Sequence, residues 1–347
     1  MRIHITGTTW HGNLSGYLAS AFRSLGHTVF FFDEQGERPC TVLKKIALRL
    51  TRNPYTIDDY FRHVASQKWL QSIANFQSDI IILEYAPNIL PEFIRKARDF
   101  RKPILYWVTS PPAAQQSKDL LLALTFADKI FFIDRSWLPL LRHFSKNHNL
   151  SYLPLAGDNH AFHPLFDFPE REKQRIYDIC FVGSLSPQNP SGLLRAYWLN
   201  QIPAHYKTAV FGQGIPYWSK YFSGLPSGDK EGKVLDRTKL NEVYNRSKLV
   251  LNIHSVDHMT SVSARTFEIA LSGGFQIVDD REDIHTLFPK GTFLSFRTSS
   301  EMLQLLDYWI VQTAERERLA ENARILVLKN HTWRHRAVEM LRVIHMS

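Results

Sequence analysis

Leu251-Asn252-Ile253-His254-Ser255-Val256-Asp257-His258-Met259-Thr260-Ser261-Val262-Ser263-Ala264-Arg265-Thr266-Phe267-Glu268-Ile269-Ala270-Leu271-Ser272-Gly273-Gly274 reads as one strand–loop–helix unit. The apolar run ending near His254 has the length of a buried strand. A polar loop follows. Ser263 is a residue type that caps helix N-termini, and Gly273-Gly274 supplies the left-handed conformation that ends helices. A strand that opens through a loop into a helix is the building block of a parallel sheet covered on both faces.

The same rhythm extends in both directions. In the second half, strands are predicted over Asp178–Gly183, Thr208–Phe211, Leu249–Ile253, Phe275–Val278 and Thr292–Ser295. Helical spacing covers 192–200, 302–311 and 314–328. In the first half, strands are predicted over Ile3–Thr6, Thr28–Phe32, Asp79–Leu83, Ile104–Val108 and Lys129–Ile133, separated by helical patterns such as 16–25 and 91–100. Tyr152-Leu153-Pro154-Leu155-Ala156-Gly157-Asp158 is the natural linker. The pattern predicts an α/β chain of two Rossmann-like, doubly wound domains, each carrying its loops at the carboxyl ends of its strands. Ligands bind such sheets at those ends, and two facing sheets can share one cleft.

Composition narrows the classes. At 347 residues the chain suits two domains. A hydrophobic content of 44% is that of a packed protein rather than a disordered one. No apolar run reaches the roughly 20 residues that span a bilayer. The two cysteines, Cys40 and Cys180, form no zinc spacing and no disulfide framework, which fits a reducing cytoplasmic address. The net charge of +9 favours anionic partners. Part of that excess lies in segment 38–62, where Lys44, Lys45, Arg49 and Arg52 alternate with leucines and Ile46. The segment reads either as a solvated helix face or as a peripheral membrane contact at the inner leaflet. The remaining positive charge is scattered among acids, so no nucleic-acid partner is expected.

The helix after Ser263 carries the most chemistry. Its free N-terminal amides favour an anion such as a diphosphate. Arg265 in the first turn adds a forked guanidinium. Glu268 follows three residues later on the same face, where its carboxylate can accept bonds from two ribose hydroxyls. The bland alternative is a surface pair between Arg265 and Glu268, worth a few tenths of a kcal/mol.

In this order and spacing, several motifs resemble one family. They are Asn252-x-His254, Arg265-Thr266-Phe267-Glu268-x-Ala270-x-x-Gly273, Asp279-Asp280 and Leu287-Phe288. With them come Asp178 to Ser184, Tyr152 to Ala156, and His331-Thr332-Trp333-Arg334-His335-Arg336-Ala337. Together they resemble the CgeB-like (spore maturation protein) glycosyltransferases of the GT-B superfamily, over about residues 150–342. The resemblance implies a nucleotide-diphosphate sugar, UDP first among them, as co-substrate, with no separate cofactor and no metal. It implies a glycan, lipid-linked or protein acceptor. Glu268 would hold the ribose. Arg265 and the amides near Ser263 would hold the diphosphate, with Gly183 and Ser184 beneath it. Asn252, His254, Ser261 and Thr266 complete the implied contacts. Domains are expected at 1–155 (acceptor side) and 156–328 (donor side), with a helix over 329–347 crossing back to the first. Many relatives carry a second glutamate eight residues before the ribose one. Thr260 stands there instead, so stereochemistry does not carry over.

On the acceptor side, the loop Gly7 to Ser15 offers Trp10 for stacking and His11 as general base, with an unperturbed pKa near 6.5. Glu84, after the strand Asp79–Leu83, is the carboxylate candidate, with a structural role as its alternative. His331-x-x-x-His335 has helical spacing but no third ligand, and reads as ordinary surface histidines. The rival activity on the same scaffold is a nucleotide-sugar epimerase or hydrolase.

Overall fold

The computed structural model describes residues 1–8, 14–34, 54–84, 86–112, 117–145, 149–167, 169–226 and 235–345. Trp10, His11 and residues 38–53 of the basic segment lie outside them. The chain divides into two units, Met1–Pro154 with Arg336–Ser347, and Leu155–His335.

The first unit holds β1 (Arg2–Gly7), β2 (Thr28–Asp33), β3 (Ile80–Glu84), β4 (Ile104–Val108), β5 (Lys129–Phe132) and β6 (Leu150–Tyr152). Its helices are α1 (Leu14–Ser24), α2 (Pro54–Phe76), α3 (Pro91–Ala97), α4 (Ser117–Leu124) and α5 (Leu138–Arg142). All strands pair in parallel in the order β2-β1-β3-β4-β5-β6. Every residue of β3 and of β4 is buried, which is why both read as unbroken apolar runs. The edge strand β2 is partly exposed and keeps only Phe32 buried. Against β1, Trp69 of α2 donates its indole N–H to Thr6 Oγ1 at 2.7 Å. His4 pairs Nε2 with Ser72 Oγ at 2.8 Å, and burial drives its pKa down to about 3, so it is neutral.

The second unit holds β7 (Tyr177–Val182), β8 (Thr208–Phe211), β9 (Ser247–Asn252), β10 (Gln276–Asp279) and β11 (Leu294–Phe296). They form a parallel sheet ordered β11-β10-β9-β7-β8. Its helices are α6 (Glu170–Lys173), α7 (Pro190–Leu199), α8 (Ile215–Trp218), α9 (Arg237–Asn245), α10 (Ala264–Leu271), α11 (Glu282–Leu287), α12 (Ser299–Trp309) and α13 (Thr313–Asn330). Ile179, Phe181, Leu249, Leu251 and Ile277 are wholly buried between the layers, each worth roughly 1.5–3 kcal/mol. The strand order places β9 at the centre with β7 and β10 beside it. The carboxyl ends of β7 and β9 therefore border the loops after Val182 and Asn252.

Two features hold the outer layer. Arg171 of α6 and Arg175 both bond Glu317 of α13, while Arg316 bonds Glu172 at 3.0 Å. Gly157 bridges to Thr332. A Cβ at Gly157 would stand 2.5 Å from Leu271 Cδ1 and 3.0 Å from Phe267 Cβ, so this linker glycine lets the backbone lie directly on α10. Helix α14 (Trp333–His345) starts in the second unit, and from Arg336 it belongs to the first. There Arg336 Nε donates to Pro154 O at 2.7 Å.

Candidate functional site

The loops after β7, β9 and β10 meet the first turn of α10. Ser263 occupies the N-cap position with extended backbone, but its hydroxyl makes no capping bond. That oxygen is buried without a partner. At the cap, backbone Thr266 N–H donates to Ser263 O at 3.0 Å. Among the described residues the start of α10 thus has no side-chain acceptor for its leading amides, the condition for anion binding there. At the other end, Gly273 has φ +72°. Gly274 N–H reaches Ile269 O, which closes the helix as the sequence indicated.

Arg265 and Glu268 are both partly exposed on this helix. The guanidinium of Arg265 bonds the hydroxyl of Tyr244, a buried residue of α9. The bland surface pair does not form. Arg265 and Glu268 feel each other's charge without an ion pair among the described residues. Burial raises the Glu268 carboxyl to about 7, against the pull of Arg265 and Arg237 and with a smaller push from Asp158. No protein group among the described residues hydrogen-bonds that carboxyl. A carboxyl that titrates near neutrality and has free acceptor positions is suited to polar ligand groups.

Behind the helix lies a closed polar network. Asp279, at the end of β10, accepts from His254 N–H at 2.8 Å and pairs with His254 Nδ1 at 2.5 Å. Arg281 Nη2 holds its second oxygen at 2.7 Å. His254 Nε2 meets Thr266 Oγ1 at 3.2 Å, and Asn252 Nδ2 donates to the same oxygen at 3.0 Å. Gln276 Oε1 accepts from Asn252, and Gln276 Nε2 donates to Thr266 O. One proton arrangement satisfies the chain: Asp279 ionised, His254 neutral with its proton on Nδ1, and Thr266 donating to Nε2. Burial lowers the His254 pKa despite Asp279. Asp279 is held low by His254 and Arg281 against its own burial.

Asn252, His254 and Thr266, expected among the donor contacts, lie in this network. All three are buried; Asn252 Nδ2, His254 and Thr266 Oγ1 bond within the network and hold the first turn of α10 from behind, while Asn252 Oδ1 is buried without a partner. Ser261 is likewise buried, with its hydroxyl 3.0 Å from His258 Nδ1. Gly183 and Ser184 do sit at the end of β7. Gly183 O would lie 1.9 Å from a Cβ on Gly212, so the two loops pack backbone to backbone. Ser184 is exposed.

Arg195, which carries no motif in the sequence, enters here from α7. Its Nε donates to Ile253 O at 3.1 Å and its Nη1 to Ser184 O at 2.9 Å. Asn189 caps that helix by accepting from Ser191 N–H at 2.7 Å. Ser191 Oγ meets Ser255 Oγ at 2.8 Å.

In the first unit, Glu84 ends β3. Ser15 Oγ donates to one of its oxygens and Thr109 Oγ1 to the other, both at 2.5 Å. Burial raises its pKa and the two hydroxyls lower it only in part. A carboxyl enclosed in this way ties α1 to the ends of β3 and β4, the structural alternative for this residue, and offers no free base. His331 is also not a surface histidine. It is buried, with Nε2 3.2 Å from Leu287 O and its ring against Phe267 and Phe288. Among the described residues, no group of three or more His, Cys, Asp or Glu is arranged to hold a metal ion. No helix there is long and apolar enough to cross a membrane.

Solved structures share this architecture along the whole chain. Sucrose-phosphate synthase from Thermosynechococcus elongatus matches 100% of this chain and 98% of its own, with a TM-score of 0.71 and 13% identity. Anabaena HepE in complex with UDP-glucose matches 100% of both chains, with a TM-score of 0.64 and 15% identity. A trehalose-6-phosphate protein from E. coli bound with UDP-2-fluoro glucose matches 99% of this chain and 98% of its own, with a TM-score of 0.65 and 12% identity. The fold is GT-B. Within this GT-B chain, residues 194–342 match the family described as "Glycosyl transferase-like". The match takes in α10 and the network behind it. No curated protein matches the sequence significantly.

Proposed function

We propose that the protein transfers a sugar from a nucleotide-diphosphate donor, UDP-linked, to an acceptor hydroxyl, without a metal. One observation carries the proposal. Helix α10 presents uncapped amides and Arg265 in its first turn, and one turn later a Glu268 carboxyl with no protein hydrogen-bond partner among the described residues. A diphosphate and the diol of a ribose are spaced to meet those groups in that order. The glycosyl transferase-like match over the same helix supports the reading, as do the UDP and UDP-sugar complexes of structures with this fold. The finer likeness to CgeB-like enzymes rests on the motif order alone.

In this mechanism the bond between the anomeric carbon and the diphosphate oxygen breaks. A new bond forms to the acceptor oxygen, whose proton leaves to a base. Negative charge grows on the departing diphosphate. Arg265 and the amides at the start of α10 stabilise it there, as preorganised dipoles and charges do at developing anions. On the nucleoside side, Asp158 and Arg237 both act on the Glu268 carboxyl. Arg237 also lines a groove of about 430 Å³ with His160, His163 and Asn241.

A thermal-shift panel of nucleoside diphosphates, followed by incubation with UDP-sugars with and without glycan acceptors, tests the proposal. UDP should stabilise the protein, and sugar should appear on an acceptor. Epimerised UDP-sugar formed without any acceptor would overturn the transfer reading.

A further inference from the structure

Arg195 stands apart from every other buried arginine of the second unit. Arg171 and Arg175 share Glu317, and Arg316 has Glu172. Arg195 is nine-tenths buried, yet its protein partners are two carbonyls, Ile253 O and Ser184 O. Those carbonyls lie just past the ends of β9, the central strand, and of its neighbour β7. Two of its N–H bonds are used. Its other N–H groups have no protein partner among the described residues. A buried guanidinium without a carboxylate of its own is costly.

Charge around it is also unbalanced. Burial first and Arg265 second pull the Arg195 pKa down to about 10, with Asp279 opposing. Arg195 thus feels both Arg265 and Asp279, Asp279 is shared with Arg281 and His254, and the Glu268 that Arg265 acts on is half protonated near neutrality. The fold spends stability to bring like charges together. That expense is recovered when an anion of two or more charges binds among them.

We infer that Arg195 is the second guanidinium of the diphosphate seat, joining Arg265 across the ends of β7 and β9 and setting a preference for diphosphates over monophosphates and free nucleosides. The inference rests on the proposed nucleotide-sugar reading for its ligand, but it concerns a residue to which that reading gives no role. The forked geometry suits it: two N–H bonds fix the guanidinium on backbone, leaving the rest for phosphate oxygens. Helix α7 supplies the placement. Asn189 caps it, Ser191 ties its first turn to Ser255, and Arg195 follows one turn later.

The test compares affinities of wild type, Arg195→Gln and Arg195→Lys for uridine, UMP, UDP and inorganic pyrophosphate by calorimetry, with thermal unfolding as fold control. In Arg195→Gln, the ratio of UDP to uridine affinity should fall at least tenfold, with UMP between them and uridine changed less than twofold. Arg195→Lys keeps the charge and loses the fork, so the ratio should fall about threefold. That variant decides the matter if the glutamine form does not fold. An unchanged UDP-to-uridine ratio in a folded variant overturns the inference and leaves Arg195 as a tie between strand ends. If wild type binds pyrophosphate but neither UDP nor uridine, the nucleotide reading fails. The inference then stands or falls on whether Arg195→Gln loses pyrophosphate.

Discussion

Glu268→Gln separates a ligand-binding carboxylate from a structural one, because the two roles give opposite signs in two measurements. The native carboxyl titrates near 7, against 4.5 for an ordinary glutamate. Its ionised fraction therefore rises from about a tenth at pH 6 to about nine-tenths at pH 8. If the ionised form accepts two ribose hydroxyls, affinity for a UDP-sugar should rise roughly ninefold over that range. The ligand itself does not interfere, since a sugar-linked diphosphate has no ionisation there. Glutamine at this position offers one acceptor and no charge. Its affinity should be flat with pH and more than tenfold weaker at pH 8, a loss of about 1.4 kcal/mol or more. Stability moves the other way. A carboxyl whose folded pKa is raised contributes stability that is full below 4.5 and is lost as pH rises through 7. A shift of this size corresponds to about 3 kcal/mol if fully realised, and to about 1–2 kcal/mol after solvent screening of a partly exposed group. At pH 8 the variant should thus bind worse and melt higher than wild type. Calorimetric titration and thermal unfolding at pH 6, 7 and 8 read both quantities. Weaker binding together with a lower melting temperature would show that Glu268 serves packing, and unchanged binding would remove the ribose assignment.

Two further outcomes follow from buried groups. His254→Phe removes the link between Asp279 and Thr266 and leaves buried acceptors unpaired, so stability should drop by about 1–3 kcal/mol. UDP affinity should fall with it as the first turn of α10 loosens, and unchanged hydrogen-exchange protection over Ala264–Leu271 would contradict that link. Glu317→Ala strips the shared carboxylate from Arg171 and Arg175, and should cost about 3–5 kcal/mol in urea unfolding while leaving UDP binding to the folded fraction intact.

Sequence alone located the strands wherever burial on both faces makes an unbroken apolar run. Ile104–Val108, buried throughout, agrees residue for residue. Elements whose stability comes from tertiary packing were illegible. Helix α9 is Arg-Thr-Lys-Leu-Asn-Glu-Val-Tyr-Asn, too polar to announce itself, though Val243 and Tyr244 are buried. Helix α2 runs from Pro54 to Phe76, well past the basic stretch that drew the reading of that region. The short β6 adjoins the linker and has only Leu150 and Tyr152 to mark it.

The site divides along the same physical line. That Arg265 and Glu268 share one helix face was legible because their relation is local: three residues on a helix fix a common face. Asn252, His254 and Thr266 formed a visible pattern, but the network that joins them did not show in it. Their bonds to each other, to Asp279 and to Gln276 join β9, β10 and α10 across separations of 12 to 25 residues, which no helical or strand period encodes. Arg195 was invisible for the converse reason. Nothing in Gly192-Leu193-Leu194-Arg195 distinguishes an arginine that faces solvent from one that reaches the carbonyls of two strand ends. Local spacing thus reveals the residues that a helix presents outward, while the residues that hold the helix in place, and the charge that completes its anion seat, emerge only when strands distant in sequence are set side by side.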